Sequence, residues 1–159
     1  MIEVLKILEK DAKITTKEIA TMTGESESKV KKFIEEMEEK GIIRGYRTVI
    51  NWEAVGVEYV HALIDLKVNL DRDKGYDAIA ERIAKFPEVQ SIRLVSGNHD
   101  LSVIVKGRTM KDVAYFVAEK IATIGEVRDT VTHFSLKSYK DNGDILYGEE
   151  KDRRLAVTP

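Results

Sequence analysis

The chain contains no cysteine in its 159 residues. That excludes disulfide frameworks and thiolate metal sites, and it fits a reducing compartment. No apolar run approaches the ~20 residues needed to cross a bilayer, and the N-terminus lacks a signal-peptide pattern. A cytoplasmic protein with no membrane partner is therefore expected. A surplus of charge of one sign is missing too: charged residues make up 34% of the chain, yet they sum to −2. A strongly basic chain would have pointed to nucleic acid at once; this one does not. The glycines form neither G-x-G-x-x-G nor G-x-x-x-x-G-K, so there is no nucleotide-phosphate loop. His61, His99 and His133 lie far apart in sequence with no i, i+4 pair, which argues against a metal site. His99 and Asp100 adjoin, but no nucleophile with an orienting third group accompanies them. Neither an enzyme nor a cofactor is expected.

What is present is organised around VQSIRLVSGNHDLSVIVK, Val89 to Lys106. It reads as two strands folded back at Ser96-Gly97-Asn98-His99-Asp100. Val89, Ser91, Arg93 and Val95 share one face of the first strand; Gln90, Ile92 and Leu94 share the other. Gly97 and Asn98 tolerate positive φ and permit a tight reversal. Such a turn aims backbone N–H groups at one spot beside the Asp100 carboxylate, an arrangement suited to a small zwitterion. An ordinary hairpin is the plainer reading of the same residues.

A chain of this length is one domain or two small ones, by a rule of about 150 residues per domain. Met1 to Asp11 has helical apolar spacing at Ile2, Leu5, Leu8 and Ala12. Thr15-Thr16-Lys17-Glu18 is a capping box opening a short helix, broken at Thr23-Gly24-Glu25. Ser26 caps a third helix over Glu27 to Lys40, with Val30, Phe33, Ile34 and Met37 on one stripe and Gly41 closing it. Ile42 to Ile50 reads as a two-stranded ribbon turning near Arg44-Gly45. This order is that of a winged helix-turn-helix, whose second helix presents its N-terminal residues to the major groove. A three-helix packing module with a solvated face fits the spacing equally well. Residues 1–50 hold ten Lys/Arg and ten Asp/Glu, so the DNA-binding candidate has no net charge. Its acids cluster at Glu35, Glu36, Glu38 and Glu39.

Residues 51–57, with the only tryptophan, Trp52, read as a hinge. Beyond it Val60, Ala62, Ile64, Leu66 and Val68 alternate with Tyr59, His61, Leu63, Asp65 and Lys67 as a strand. Lys74 to Phe86 follows as a helix turning Ile79, Ile83 and Phe86 inward and ending before Pro87. After the central hairpin, Thr109 to Asp112 caps a helix carrying Val113, Phe116, Val117, Lys120, Ile121 and Ile124 in register, and Val127 to Tyr139 is a long last strand. The order βαββαβ over 58–140 is a ferredoxin-like split sheet with both helices on one face. The alternating Val60, Ala62, Ile64 and Leu66 need a cover that no other element supplies, so an obligate dimer through the sheet is expected. Over 141–159, Asp141-Asn142-Gly143-Asp144 signals a hairpin into a short strand, Ile145 to Tyr147, before a charged arm ending in Leu155-Ala156-Val157.

KITTKEIATMTGESESKVKKFIEEMEEKGIIRGYRTVIN, RLVSGNHDLSVIVK and GEVRDTVTHFSLKSYK together resemble the leucine-responsive regulator / asparagine-synthetase regulator (Lrp/AsnC) family of prokaryotic transcription regulators. The likeness covers residues 1 to about 140, and the Gly97-x-x-Asp100 turn is its most specific mark. The resemblance implies an α+β chain: an N-terminal winged helix-turn-helix and a C-terminal ferredoxin-like domain that binds an amino-acid effector. It implies homodimers built sheet to sheet, often gathered into tetramers or octamers. By match of position it assigns double-stranded DNA to Ser26, Ser28, Lys29, Lys31, Lys32, Arg44 and Arg47. It assigns the effector to Gly97, Asn98, His99, Asp100, Thr130 and Thr132. The chain departs from the family at Phe33 and Glu36, where arginines are common, and its C-terminal arm runs past the usual end. The rival expectation is an effector-binding oligomer that has lost useful DNA affinity and acts through protein partners.

Overall fold

A computed structural model describes residues 1–69, 75–141 and 143–146. The chain divides into two compact units, residues 1–50 and 51–159.

The first unit holds α1 (Ile2–Lys10), α2 (Thr16–Thr23) and α3 (Glu27–Glu39). Thr15 and Glu18 form the expected reciprocal cap at the start of α2: the Glu18 N–H donates to the Thr15 hydroxyl at 3.2 Å and the Thr15 N–H to Glu18 Oε2 at 2.9 Å. The link to α3 turns on Gly24, held at φ 70 with open space around it, so the left-handed backbone itself requires glycine. Val4, Ile19, Ala20 and Val30 bury against one another, with Phe33 and Ile34 half-buried beside them. This small core sets how α3 is presented.

Residues 44–50 form no β-ladder, contrary to the expected ribbon. An isolated two-stranded hairpin is marginal in water without a face to pack on. Here Ile42, Ile43 and Tyr46 instead line a groove of about 490 Å³ with Ile2, Leu5 and Leu8 of α1. The Tyr46 hydroxyl donates to Glu38 Oε1 at 2.7 Å, which fastens the segment to α3.

The second unit contains β1 (Val60–Val68), α4 (Tyr76–Ala84), β2 (Val89–Leu94), β3 (Leu101–Gly107), α5 (Met110–Phe116) and β4 (Val127–Phe134). The sheet order is β2-β3-β1-β4 with every pair antiparallel, as the βαββαβ order requires. The helical path continues past α5 in wider π turns over Val117–Ile121. β4 stops at Phe134, short of the expected Tyr139. A small pair, β5 (Lys140–Asp141) and β6 (Asp144–Ile145), follows. The expected helix start at Lys74, the Asn142 turn position, Tyr147 and the Leu155-Ala156-Val157 anchor lie outside the described residues.

The core lies between the sheet and its helices. Ala62, Ile64, Leu66, Leu101, Val103 and Val105 meet Ile79 and Ile83 of α4, Val113 and Phe116 of α5, and Ile121 and Ile124 beyond. This corrects the sequence expectation that the Val60–Leu66 stripe needs a second copy: its own helices cover it. The uncovered face is the alternate set, His61, Leu63, Asp65 and Lys67, flanked in register by Ser102, Ile104 and Lys106 and by Asp129, Val131 and His133. The faces of β2 also differ from strict alternation. A register shift between Val89 and Ser91 lets both Val89 and Ile92 pack on the core. Lys120, expected inward, stays exposed; its ammonium meets Glu88 Oε1 at 2.8 Å, beside the rings of Phe86 and Phe116.

Candidate DNA face and effector turn

Ser26 caps α3, its hydroxyl accepting from the Lys29 N–H at 3.4 Å and lying 3.3 Å from the Ser28 hydroxyl. The Thr16 hydroxyl donates to Glu27 Oε1 at 2.9 Å, tying the starts of α2 and α3 together. Val30 and Met37 are buried and Phe33 and Ile34 half-buried, so α3 turns the opposite ridge outward. At i, i+4, i+7 and i+11 spacing that ridge is Ser28, Lys32, Glu35 and Glu39, all exposed. Lys31 is also exposed, to one side. Lys29 Nζ pairs with Glu25 Oε2 at 2.7 Å; both groups are on the surface, so this pair is cheaply broken. The lysine holds the Glu25 carboxyl below its ordinary range, chiefly through that hydrogen bond. Arg44 and Arg47 are exposed on the segment after α3. The unit thus gathers Ser28, Lys29, Lys31 and Lys32 on the first two turns of one helix, with Ser26 serving first as its cap.

In the second unit, the turn between β2 and β3 closes through the Val95 N–H, which donates to the Asp100 carbonyl at 3.0 Å. Gly97 sits at φ 131, outside the range that side chains readily adopt. Among the described residues, the N–H groups of Gly97, Asn98 and His99 make no backbone hydrogen bond. Asp100 is anchored on both sides: its N–H donates to the Leu66 carbonyl at 2.9 Å, and its Oδ2 accepts from the Val68 N–H at 2.9 Å. Its Oδ1 accepts from the Tyr76 hydroxyl at 3.3 Å, at the start of α4. Burial, then the Asp100 charge, raise the Tyr76 phenol above its ordinary range.

Thr130 and Thr132 pair with Leu66 and Ile64 and so share the sheet face that meets the helices. His99 turns to the other face, its Nδ1 3.7 Å from Asp65 Oδ2, and His133 Nε2 lies 3.4 Å from the same oxygen. The turn and β4 therefore converge at Asp65, through His99 and His133, rather than at the two threonines. Asp65, His133 and Tyr76 were not selected from the sequence. Asp65 carried a faint signal, an acid among the aliphatics of a strand; its meeting with His133 depends on strand register, which no local pattern prints.

A helix-turn-helix followed by a βαββαβ unit is the architecture of a DNA-binding regulator with an attached sensor domain. The family comparisons agree. Residues 1–44 match the winged helix-turn-helix DNA-binding model, and residues 61–145 match the Lrp/AsnC ligand binding domain. The chain is 42% identical over 158 residues to the uncharacterized HTH-type transcriptional regulator YugG of Bacillus subtilis, covering 99% of this chain and 95% of that protein. It is similar in fold to the leucine response regulatory protein LrpA of Mycobacterium tuberculosis, with TM-score 0.74, 26% identity, and coverage of 91% of this chain and 96% of that one. A feast or famine regulatory protein of M. tuberculosis, solved in complex with L-methionine, matches with TM-score 0.71 and 26% identity over 91% of this chain and 95% of that one. The chain belongs to the Lrp/AsnC family of transcription regulators, which are DNA-binding proteins rather than enzymes.

Proposed function

We propose that this chain regulates transcription by docking α3 in the major groove of double-stranded DNA, under control of a small amino acid bound at the β2–β3 turn. The observation that carries the DNA half is the ridge of α3: Ser28 and Lys32 face outward together at its capped start, with Lys29 and Lys31 flanking. Hydroxyls and lysines there bond phosphates and base edges, while Arg44 and Arg47 serve as further phosphate partners. Three free N–H groups at Gly97, Asn98 and His99 support the sensor half, since an α-carboxylate is the natural acceptor for them. The ammonium would meet Asp100 and the ligand's side chain His99, released from Asp65; Thr130 and Thr132, on the sheet face that meets the helices, stand outside this reading of the site. The complex of a relative with L-methionine is consistent with an amino-acid ligand. The protein works in the cytoplasm as a homodimer, assembled further into tetramers or octamers. Its subunits join across the face bearing Leu63, Ile104 and Val131, which are each more than a third exposed in the single chain.

Mobility shifts over a salt series test the DNA half, on DNA from immediately upstream of the gene. Affinity should fall steeply with salt. Lys29→Ala with Lys32→Ala should weaken binding to every sequence, flattening the slope by about one unit for each phosphate no longer neutralised. Wild type that fails to bind at low salt would leave the rival, an effector-binding oligomer working through protein partners, which the neutral charge of residues 1–50 favours. For the sensor half, Gly97→Val should abolish amino-acid binding in calorimetry, because it strains the backbone and fills the space before the free N–H groups.

A further inference from the structure

The first unit carries as many acids as bases, and its acids are not spread evenly. Glu18 is held in the cap of α2, Glu27 by Thr16, Glu25 by Lys29, Glu36 by Lys40 and Glu38 by Tyr46. Glu35 and Glu39 have no hydrogen bond or ion pair among the described residues, and both are exposed. They stand on the same outward ridge as Ser28 and Lys32. At ~1.5 Å of rise per residue, Glu35 lies about 10 Å beyond Ser28 along the helix and Glu39 about 16 Å beyond it. A B-DNA major groove is about 12 Å wide. That reach is enough to carry both carboxylates toward the phosphates of the groove wall when the whole helix lies along the backbone, and less so when only its start is at the base edges.

We propose that Glu35 and Glu39 are specificity determinants acting by repulsion: they hold the second half of α3 off the phosphate backbone, so that only its first two turns dock. A helix lying flat along the backbone, as in binding to random DNA, brings both carboxylates nearer to phosphates. A helix inserted end-on at its own site brings them less close. The two acids therefore lower affinity for random sequence more than affinity for the proper site, and widen the ratio between them. This rests on the reading that α3 is the helix that enters DNA.

The test is fluorescence anisotropy with the full chain across a salt series. One probe is a short random-sequence duplex; the other is the duplex that wild type itself enriches from a random library. Glu35→Gln with Glu39→Gln keeps size and helix propensity while removing both charges. Two charges at roughly 8–10 Å from phosphates in water amount to about a threefold gain in affinity for the random duplex at low salt. The gain should shrink as salt rises, and affinity for the enriched duplex should rise less. Equal gains on both probes, or no gain on the random duplex, would overturn the proposal. So would a loss on the enriched duplex, which would make a carboxylate an acceptor for a cytosine amino group instead. Lys32→Ala runs in parallel: if it leaves both affinities untouched, α3 is not the helix that faces DNA, and the underlying reading fails rather than the repulsion alone.

Discussion

Asp100 holds Val68 and is proposed to meet a ligand's ammonium, and replacing its side chain should separate the two roles. The Val68 N–H that it accepts at 2.9 Å is partly buried at the end of β1. In Asp100→Ala that donor loses an ionised acceptor, a change worth roughly 1.5–3 kcal/mol. At about 2–4 °C per kcal/mol for a chain of this size, a value near 2 kcal/mol lowers the melting temperature by about 4–8 °C. Asp100→Asn keeps an oxygen for the same N–H and should melt within about 2 °C of wild type. Its lost charge matters elsewhere: an amino-acid ammonium that needs a carboxylate should bind at least about tenfold more weakly. Differential scanning calorimetry and titration calorimetry with the standard amino acids read the two effects independently. Asp100→Ala melting with wild type would show that the bond to Val68 carries no stability. Asp100→Asn binding ligand as wild type does would limit Asp100 to holding the turn in place.

Gly107→Ala should destabilise the second unit by about 1–3 kcal/mol in urea melts, because the added methyl would lie 2.8 Å from Val113 Cγ2 in the core. Trimming Val113 to Ala in the same chain should recover little, since it opens a cavity on the other side of the contact. His61 gives a pH prediction. Burial, then Lys106, hold its pKa below the ordinary 6.5, against the pull of Asp141. Between that depressed value and 6.5 the unfolded chain binds the extra proton, so stability should fall as pH is lowered from about 7 toward 5. His61→Gln should flatten that stretch of the melting curve; an unaltered decline would mean His61 titrates normally.

The capped helices and alternating strands were legible because each is written locally. Thr15 and Glu18, Ser26 and Gly24 are bonding and backbone requirements within a few residues, and the structure has each of them in its expected role. The ribbon at 42–50 failed for the opposite reason. Its apolar residues signalled a need for burial that the single chain does not meet by strand pairing: Ile42, Tyr46, Val49 and Ile50 stay exposed, with Ile42 and Tyr46 lining a groove beside α1, and no local pattern in the sequence announces that.

The sheet shows where local reading stops. Alternation in β1 reveals two faces but not which one the helices take. The stripe richer in aliphatics invites assignment to a partner only if the chain's own helices are left out of account. Once Ile83, Val113 and Ile121 are seen to cover Ala62, Ile64 and Leu66, the mixed face becomes the one that needs explaining. It is not a plain hydrophobic surface: Leu63 and Val131 are interleaved with His61, Asp65 and His133. A carboxylate with a histidine on either side, drawn from the turn and from β4, is a polar link across three segments of one face. Such a link orients groups more than it glues them, because half-exposed polar contacts of this length add little stability. Its consequence is positional: His99 lies between Asp100 of the turn and Asp65 of the open face, so a ligand that drew His99 to itself would disturb the face through which copies are proposed to join. Effector binding and assembly would then share a side chain, and His99→Ala would uncouple them, leaving oligomer size, read by light scattering, insensitive to added amino acid.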